Sequence, residues 1–242
     1  NAIEYVGACP VFVDVEAHTG NIDASLIERA ITAKTKAILV VHLYGQMCDM
    51  RAIRAIADVH GLKVIEDAAH CIEGTRDGVR VGQLGDAACF SFYATKNITS
   101  GEGGAISCHT EAMRDWLLMA RQHGISKGAA DRYTRYYEHY DMLFLGSKCN
   151  MSNVQAALLL HQLDRMDVAC EKKAAIAAKY SAAFAASDAI LYPDVLPQVK
   201  HAWHLYTILV NPQKRDTLLH KLQEVGIGVA VNFRPIHLMS YY

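Results

Sequence analysis

Apolar residues fall into two kinds of run along this chain. Short blocks such as Lys36-Ala37-Ile38-Leu39-Val40-Val41 and Leu62-Lys63-Val64-Ile65-Glu66 read as strands. The first is apolar without interruption, as expected of a strand covered by helices on both faces. Between them, Met50 to His60 sets Ile53, Ile56 and Val59 at helical spacing and closes at Gly61. Upstream, Asn1 to Val6 fits a helix end before Gly7, Pro10 to Val15 a strand, and Asp23 the cap of a helix with Leu26, Ile27, Ala30 and Ile31 on its apolar face. This βαβα alternation predicts a mostly parallel sheet with helices on both faces, an α/β/α sandwich.

The second half reads differently. Arg76 to Leu84 is turn-rich, with a hairpin at Asp77-Gly78, and two strands follow at Ala87 to Ser91 and Ala105 to Cys108. Thr110 to His123 is helical. Gly124 to Leu145 is irregular and basic-aromatic (Arg132, Tyr133, Arg135, Tyr136, Tyr137, Tyr140), and reads as a lid or subunit contact. Ser152 to Ala186 is helical throughout, with Val154, Ala157, Leu158, His161 and Leu163 on its first apolar face and a bend expected near Asp167 to Cys170. A strand (Trp203 to Val210), a helix (Arg215 to Val225, stopped by Gly226) and a strand (Ile227 to Phe233) then predict a small α+β domain. The division falls into a large α/β domain, residues 1–165, and a small one, residues 166–242.

Composition excludes more than it identifies. Of 242 residues, 52% are hydrophobic and 20% charged, with a formal net charge of −1, so nothing basic points to nucleic acid. No apolar run reaches the length of a membrane span. The seven cysteines are scattered singly, without a CxxC pair, and read as reduced core thiols of a cytoplasmic protein. The twelve histidines show no pairing at metal-ligand spacing.

Two polar residues stand out against this pattern. Lys96 lies between two strands, followed by the turn Ser100-Gly101-Glu102-Gly103-Gly104. A lysine held against apolar walls becomes a nucleophilic amine or a Schiff-base former; a solvated loop lysine is the plain alternative. Asp67 ends a strand at its carboxyl side, where α/β proteins place ligand groups, or else caps the next helix. Together they match the needs of pyridoxal phosphate (PLP): an amine for its aldehyde and a carboxylate against its ring nitrogen.

With these two residues go several spaced segments: Val41-His42-Leu43-Tyr44-Gly45-Gln46, Val64-Ile65-Glu66-Asp67-Ala68-Ala69-His70, Phe90-Ser91-Phe92-Tyr93-Ala94-Thr95-Lys96-Asn97, Gly101-Glu102-Gly103-Gly104 and Asn150-Met151-Ser152-Asn153-Val154-Gln155-Ala156-Ala157. In this order they closely resemble the DegT/DnrJ/EryC1/StrS family of PLP-dependent sugar aminotransferases, of fold type I. The resemblance runs nearly end to end and implies a specific set of roles. Lys96 bonds the cofactor and then serves as base and acid. Asp67 pairs with the ring nitrogen. His70 packs at the ring, unless it is a satisfied core histidine. Ser91 holds the phosphate, and Tyr93 and His237 belong to the substrate site. Gly146-Ser147-Lys148-Cys149-Asn150 aligns with a loop that reaches the phosphate in a neighbouring subunit, through Lys148 or Asn150. That implies a homodimer with shared sites. The resemblance further implies a segment before Asn1 and a tail after Tyr242.

The expected reaction is amino transfer, from glutamate, to the ketone of a nucleotide-linked keto-deoxysugar in surface polysaccharide or glycosylated-metabolite biosynthesis. A sugar dehydratase of the same family, working with pyridoxamine phosphate, is the nearer alternative; such members carry His where this chain has Lys96. A non-catalytic sensor that keeps the fold is the second. A nicotinamide oxidoreductase is disfavoured, because no GxGxxG opens a helix after a strand.

Overall fold

A computed structural model describes residues 1–126 and 139–242. The basic-aromatic residues Arg132 to Tyr137 of the proposed lid lie outside the described residues. After a short helix α1 (Ala2–Tyr5), the order is α2 (Ala24–Ala30), β1 (Ala37–Val41), α3 (Met50–His60), β2 (Lys63–Asp67), β3 (Thr75–Arg76), β4 (Val79–Arg80), β5 (Ala87–Ser91), β6 (Gly104–Cys108) and α4 (Glu111–Ala120). Then come α5 (Asn153–Asp164), α6 (Met166–Phe184), β7 (Ile190–Leu191), β8 (Val199–Lys200), β9 (Leu209–Val210) and α7 (Pro212–Glu224).

The central sheet has the order β1-β2-β5-β6. The first three strands are parallel and β6 runs antiparallel to β5, so the sheet is mostly parallel, as expected. One face is dry. Ile38, Val40 and Val64 pack with Ile27 of α2 and with Ile53 and Ala57 of α3. Helix α3 forms because its ends are capped as well as its face being apolar. Asp49 accepts from the Ala52 N–H at 3.0 Å, and Gly61 takes the left-handed conformation (φ 64°) that ends a helix cheaply only at glycine.

Glu66 sits on the dry face with its side chain wholly buried. It accepts from Gly85 N–H at 2.7 Å, Gly82 N–H at 2.9 Å and His42 Nε2 at 2.9 Å. Cys48 N–H donates to His42 Nδ1 at 3.1 Å, which leaves the His42 proton on Nε2 for Glu66. Burial pushes the Glu66 pKa up, but these three donors outweigh it and hold the carboxyl below its ordinary range.

The hairpin forms where Asp77-Gly78 predicts it, with both residues at positive φ (51° and 76°) and Arg76 opposite Val79. Ser152 and Gln155 make a reciprocal capping box at the start of α5.

Five expectations need correction. Pro10 to Val15 is not a strand: only Val15 bridges, to Ile22, and Val11 and Phe12 are exposed for want of a pairing neighbour. β1 is not covered on both faces, since Leu39 and Val41 are half-exposed on the face away from α2 and α3. The apolar face expected of α5 is outward; Val154, Leu158 and Leu163 are exposed, and it is Leu159 that packs with Phe92 and Ile98. The long helix breaks at Arg165 (φ −111°, ψ 10°), before the expected bend.

The fifth concerns the strands around α7. Trp203 to Val210 is a strand only at Leu209–Val210, because the N–H groups of Ala202 and His204 are taken by the Gly45 and Tyr44 carbonyls rather than by a sheet. Ile227 to Phe233 is not a strand either. Helix α7 itself starts earlier than Arg215, at Pro212, because Asn211 caps it and proline suits a first-turn position.

Candidate functional site

The parallel strands end on one edge, and the site collects there. β1 ends at Val41, β2 at Asp67 and β5 at Ser91. Register pairs Val41 with Asp67 and Asp67 with Cys89, so these side chains and that of Ser91, two residues beyond Cys89, share one face. It is the face opposite α2 and α3, where Leu39, Val41 and Ile106 are left partly exposed. Asp67 and Ser91 are thus presented toward an open region by the pleat alone, at the strand ends where α/β sheets hold ligands.

Lys96 lies in the turn after β5, with its N–H bonded to the Tyr93 carbonyl at 2.9 Å. The loop returns to β6 through Gly103 and Gly104. A Cβ on Gly104 would meet the Phe90 carbonyl oxygen at 2.8 Å, and one on Gly103 would meet Met151 Sδ at 2.9 Å. The backbone thus approaches closely at these glycines, Gly104 against β5 and Gly103 against Met151 just before α5. Burial lowers the Lys96 pKa, while the nearby Asp67 charge works against that shift. Asp67 accepts from Ala69 N–H at 3.0 Å. Among the described residues neither the Lys96 amine nor the Asp67 carboxylate is spent in an ion pair.

His70 faces the same space. Its ring stacks on His204 with centroids 4.2 Å apart, and its Nδ1 accepts from Tyr44 N–H at 3.3 Å. Burial first, and the Lys96 charge second, bring the His70 pKa down to about 4. That value leaves the partly buried ring neutral at physiological pH. Phe233 stacks on both His70 and Tyr44, and the Tyr44 hydroxyl donates to the Asn232 carbonyl. The segment that carries His237 is thereby docked at the site. His237 itself lies in a short 3-10 turn, Ile236–Leu238, and is exposed, as is Tyr93.

Lys148 and Asn150 are both exposed. They lie on an exposed strap that bridges Gln122 to Lys148 and bonds to the end of α4, with Ser147 N–H donating to the Ala120 carbonyl at 2.7 Å. Among the described residues no hydrogen bond or ion pair joins their side chains to Asp67, Ser91 or Lys96. A cavity of about 230 Å³ near Tyr44, lined also by Tyr192, Trp203 and Tyr206, includes none of Asp67, Ser91 or Lys96. No group of His, Cys, Asp and Glu suited to a metal occurs among the described residues, and no described helix is long and apolar enough to cross a membrane.

Sequence reasoning missed His204, Glu73 and Lys173 and undervalued Asn97. Asn97 Nδ2 donates to both Glu73 carboxylate oxygens, and Lys173 Nζ donates to Glu73 Oε1 at 3.0 Å. Only Asn97, adjacent to Lys96, carried any local signal.

The arrangement offers an amine whose basicity burial lowers and a carboxylate, on a shared open face. That pair suits a group bearing an aldehyde and a protonatable ring nitrogen. Comparison with known proteins agrees. The model of the DegT/DnrJ/EryC1/StrS aminotransferase family matches residues 1–242. The spore coat polysaccharide biosynthesis protein SpsC of Bacillus subtilis (strain 168) is 42% identical over 248 residues, covering 100% of this chain and 64% of that protein. Among solved structures, S. venezuelae DesV in complex with a ketimine intermediate superposes with a TM-score of 0.88 at 34% identity, over 100% of this chain and 62% of that one. Helicobacter pylori PseC, an aminotransferase involved in the biosynthesis of pseudoaminic acid, does so with a TM-score of 0.91 at 26% identity, over 99% and 63%. The chain thus spans 64% of the length of the curated relatives it matches.

Proposed function

Because the chain belongs to the DegT/DnrJ/EryC1/StrS aminotransferase family, we propose that it carries the Lys96 site of an enzyme that moves an amino group from glutamate to the ketone of a nucleotide-linked keto-deoxysugar. The observation that carries this reading is the placement of Asp67 at the carboxyl end of β2 and of Lys96 in the turn after the neighbouring β5, at the open edge of the sheet. The role in polysaccharide biosynthesis is drawn from SpsC.

Bound pyridoxal phosphate supplies an aldehyde that links to an amine and a ring that accepts electrons. Everything else falls to the chain. Lys96 holds the group through its Nζ when substrate is absent. When not bonded to the group, the Lys96 Nζ, its basicity lowered by burial, would be the base that takes the proton from the substrate carbon and, as its ammonium, the acid that gives that proton up again. Asp67 keeps a proton on the ring nitrogen by offering a fixed negative charge. Neutral His70 packs beside the ring without adding a competing positive charge. Ser91 holds the phosphate, joined by Lys148 or Asn150 of a second subunit in a cytoplasmic homodimer. Both side chains are exposed, which leaves them open to a second subunit. Tyr93 and His237 contact the sugar. Residues 1–165 form the large domain and 166–242 the small one.

The test is the visible spectrum of the purified full-length protein with pyridoxal phosphate, before and after glutamate. A band that forms, bleaches with glutamate and is absent in Lys96→Ala supports the reading. Absence of any band in the wild type overturns it.

A further inference from the structure

Glu73 is a second buried charge, besides Glu66, that the reaction leaves unused. Its side chain is 1% exposed, and a carboxylate so placed must be both paired and hydrogen-bonded. Lys173 of α6 supplies the charge. Asn97, the residue after Lys96, supplies the hydrogen bonds. Its Nδ2 lies 3.0 and 2.9 Å from the two Glu73 oxygens and 2.9 Å from the Ala202 carbonyl oxygen. Three acceptors around one atom assign the Asn97 amide: the nitrogen faces them and Oδ1 faces away.

That assignment propagates. Asn97 Oδ1 is 3.3 Å from His204 Nδ1. An amide oxygen only accepts, so His204 must donate from Nδ1, and its Nε2 is left as an acceptor. The His204 backbone is fixed independently, its N–H donating to the Tyr44 carbonyl at 3.0 Å. Gly45 permits this approach, since a Cβ there would lie 2.8 Å from the Trp203 nitrogen. The ring is fixed by its stack on His70. With backbone, ring plane and amide all set, the tautomer has no freedom left.

We propose that Glu73, clamped by Lys173, is a positioning residue that orients the Asn97 amide and thereby holds His204 in the Nδ1–H tautomer beside Lys96. His204 is also kept uncharged, its pKa brought down to about 4 by burial first, then by its coupling to the adjacent His70 ring and by the Lys96 and Lys173 charges. A neutral ring with a bare acceptor nitrogen can receive a hydrogen bond in the site without repelling the Lys96 ammonium. Because Lys173 lies on α6, the tautomer also depends on how α6 sits against the Lys96 loop. The consequence for catalysis rests on the aminotransferase reading; the tautomer itself does not.

The experiment is long-range proton–nitrogen NMR of the cofactor-free full-length protein, labelled with nitrogen-15 in histidine, at neutral pH. The His204 signal is identified by its loss in His204→Gln. The Nδ1–H pattern is expected in the wild type and the Nε2–H pattern, or exchange between the two, in Glu73→Gln. In the cofactor-loaded enzyme, Glu73→Gln then lowers kcat on the order of tenfold, by analogy with outer-shell partners of functional histidines, with KM for the amino donor nearly unchanged. A wild-type His204 that is Nε2–H or doubly protonated overturns the proposal, and so does a tautomer that ignores the substitution. If Glu73→Gln does not fold, Asn97→Ala removes the same link and is read in the same way. Failure of the wild type to bind pyridoxal phosphate sinks the enzymatic reading alone and leaves the tautomer result standing.

Discussion

Replacing Glu66 by Gln changes one atom in the core and tests whether the sheet is held by charge or only by shape. The carboxylate accepts from three donors that have no alternative: Gly82 N–H, Gly85 N–H and His42 Nε2–H. His42 cannot turn its proton away, since its Nδ1 is already occupied by the Cys48 N–H. A glutamine has one acceptor oxygen. Placed toward Gly82 and His42, it leaves its NH₂ facing the Gly85 N–H; placed the other way, it opposes two donors. The better choice orphans one buried donor, at about 1–3 kcal/mol, and weakens two charge-assisted bonds by roughly 1 kcal/mol each. The total, about 3–5 kcal/mol, agrees with the usual cost of breaking a buried pair.

Urea titration at pH 7 reads this directly. With a slope of about 2–3 kcal/mol per molar, the midpoint of Glu66→Gln falls by roughly 1–2 M. The pH dependence adds a second check. The folded state holds the Glu66 pKa below its unfolded value, so the carboxylate's contribution is complete above about pH 4.3 and is lost as pH falls through the folded pKa. The gap between wild type and variant therefore narrows in acid. A midpoint shift below about 0.3 M at pH 7, equivalent to less than roughly 1 kcal/mol, refutes the assignment of charge and tautomer in this core.

Asp67→Asn should keep the visible cofactor band but lower kcat by about 100-fold or more, because a neutral amide cannot hold the ring nitrogen protonated; an unchanged kcat would count against the role given to Asp67. Gly45→Ala forces a Cβ to 2.8 Å from the Trp203 nitrogen at φ 113°, and should cost about 2–4 kcal/mol in urea titration, against near zero if the 202–204 turn simply moves away. His70, His201 and His204 all have pKa values brought down to about 4 by burial, so each binds protons more readily when unfolded. Stability should fall as pH drops from about 6.5 towards 4, and a flat urea midpoint across that window contradicts the burial of these rings.

What could be read in the sequence follows from how far each signal reaches along the chain. Helix α3, the Asp77-Gly78 turn, the capped start of α5 and the strand–loop–strand around Lys96 are each specified by residues a few positions apart, and periodicity and capping report such elements well. The position of Asp67 was legible for the same reason, as the polar end of an apolar strand. The network behind Lys96 is of another kind. Glu73 and Lys173 are 100 positions apart, Asn97 and Ala202 are 105 apart, and Tyr44 reaches Asn232 across 188. No local pattern marks such partners. Trp203 to Val210 shows how local patterns mislead: its apolar, aromatic composition favours a strand, but the N–H groups of Ala202 and His204 serve the Tyr44-Gly45 turn, and that diversion brings His204 onto His70. The misread strand and the unforeseen His70–His204 stack are therefore one event. The exposed face of α5 carries the complementary lesson. Val154, Leu158 and Leu163 keep an apolar spacing that a single chain does not bury. A spacing of apolar residues names a face without saying which face the fold buries, and here it is Leu159, between Leu158 and Leu163, that packs on Phe92 and Ile98.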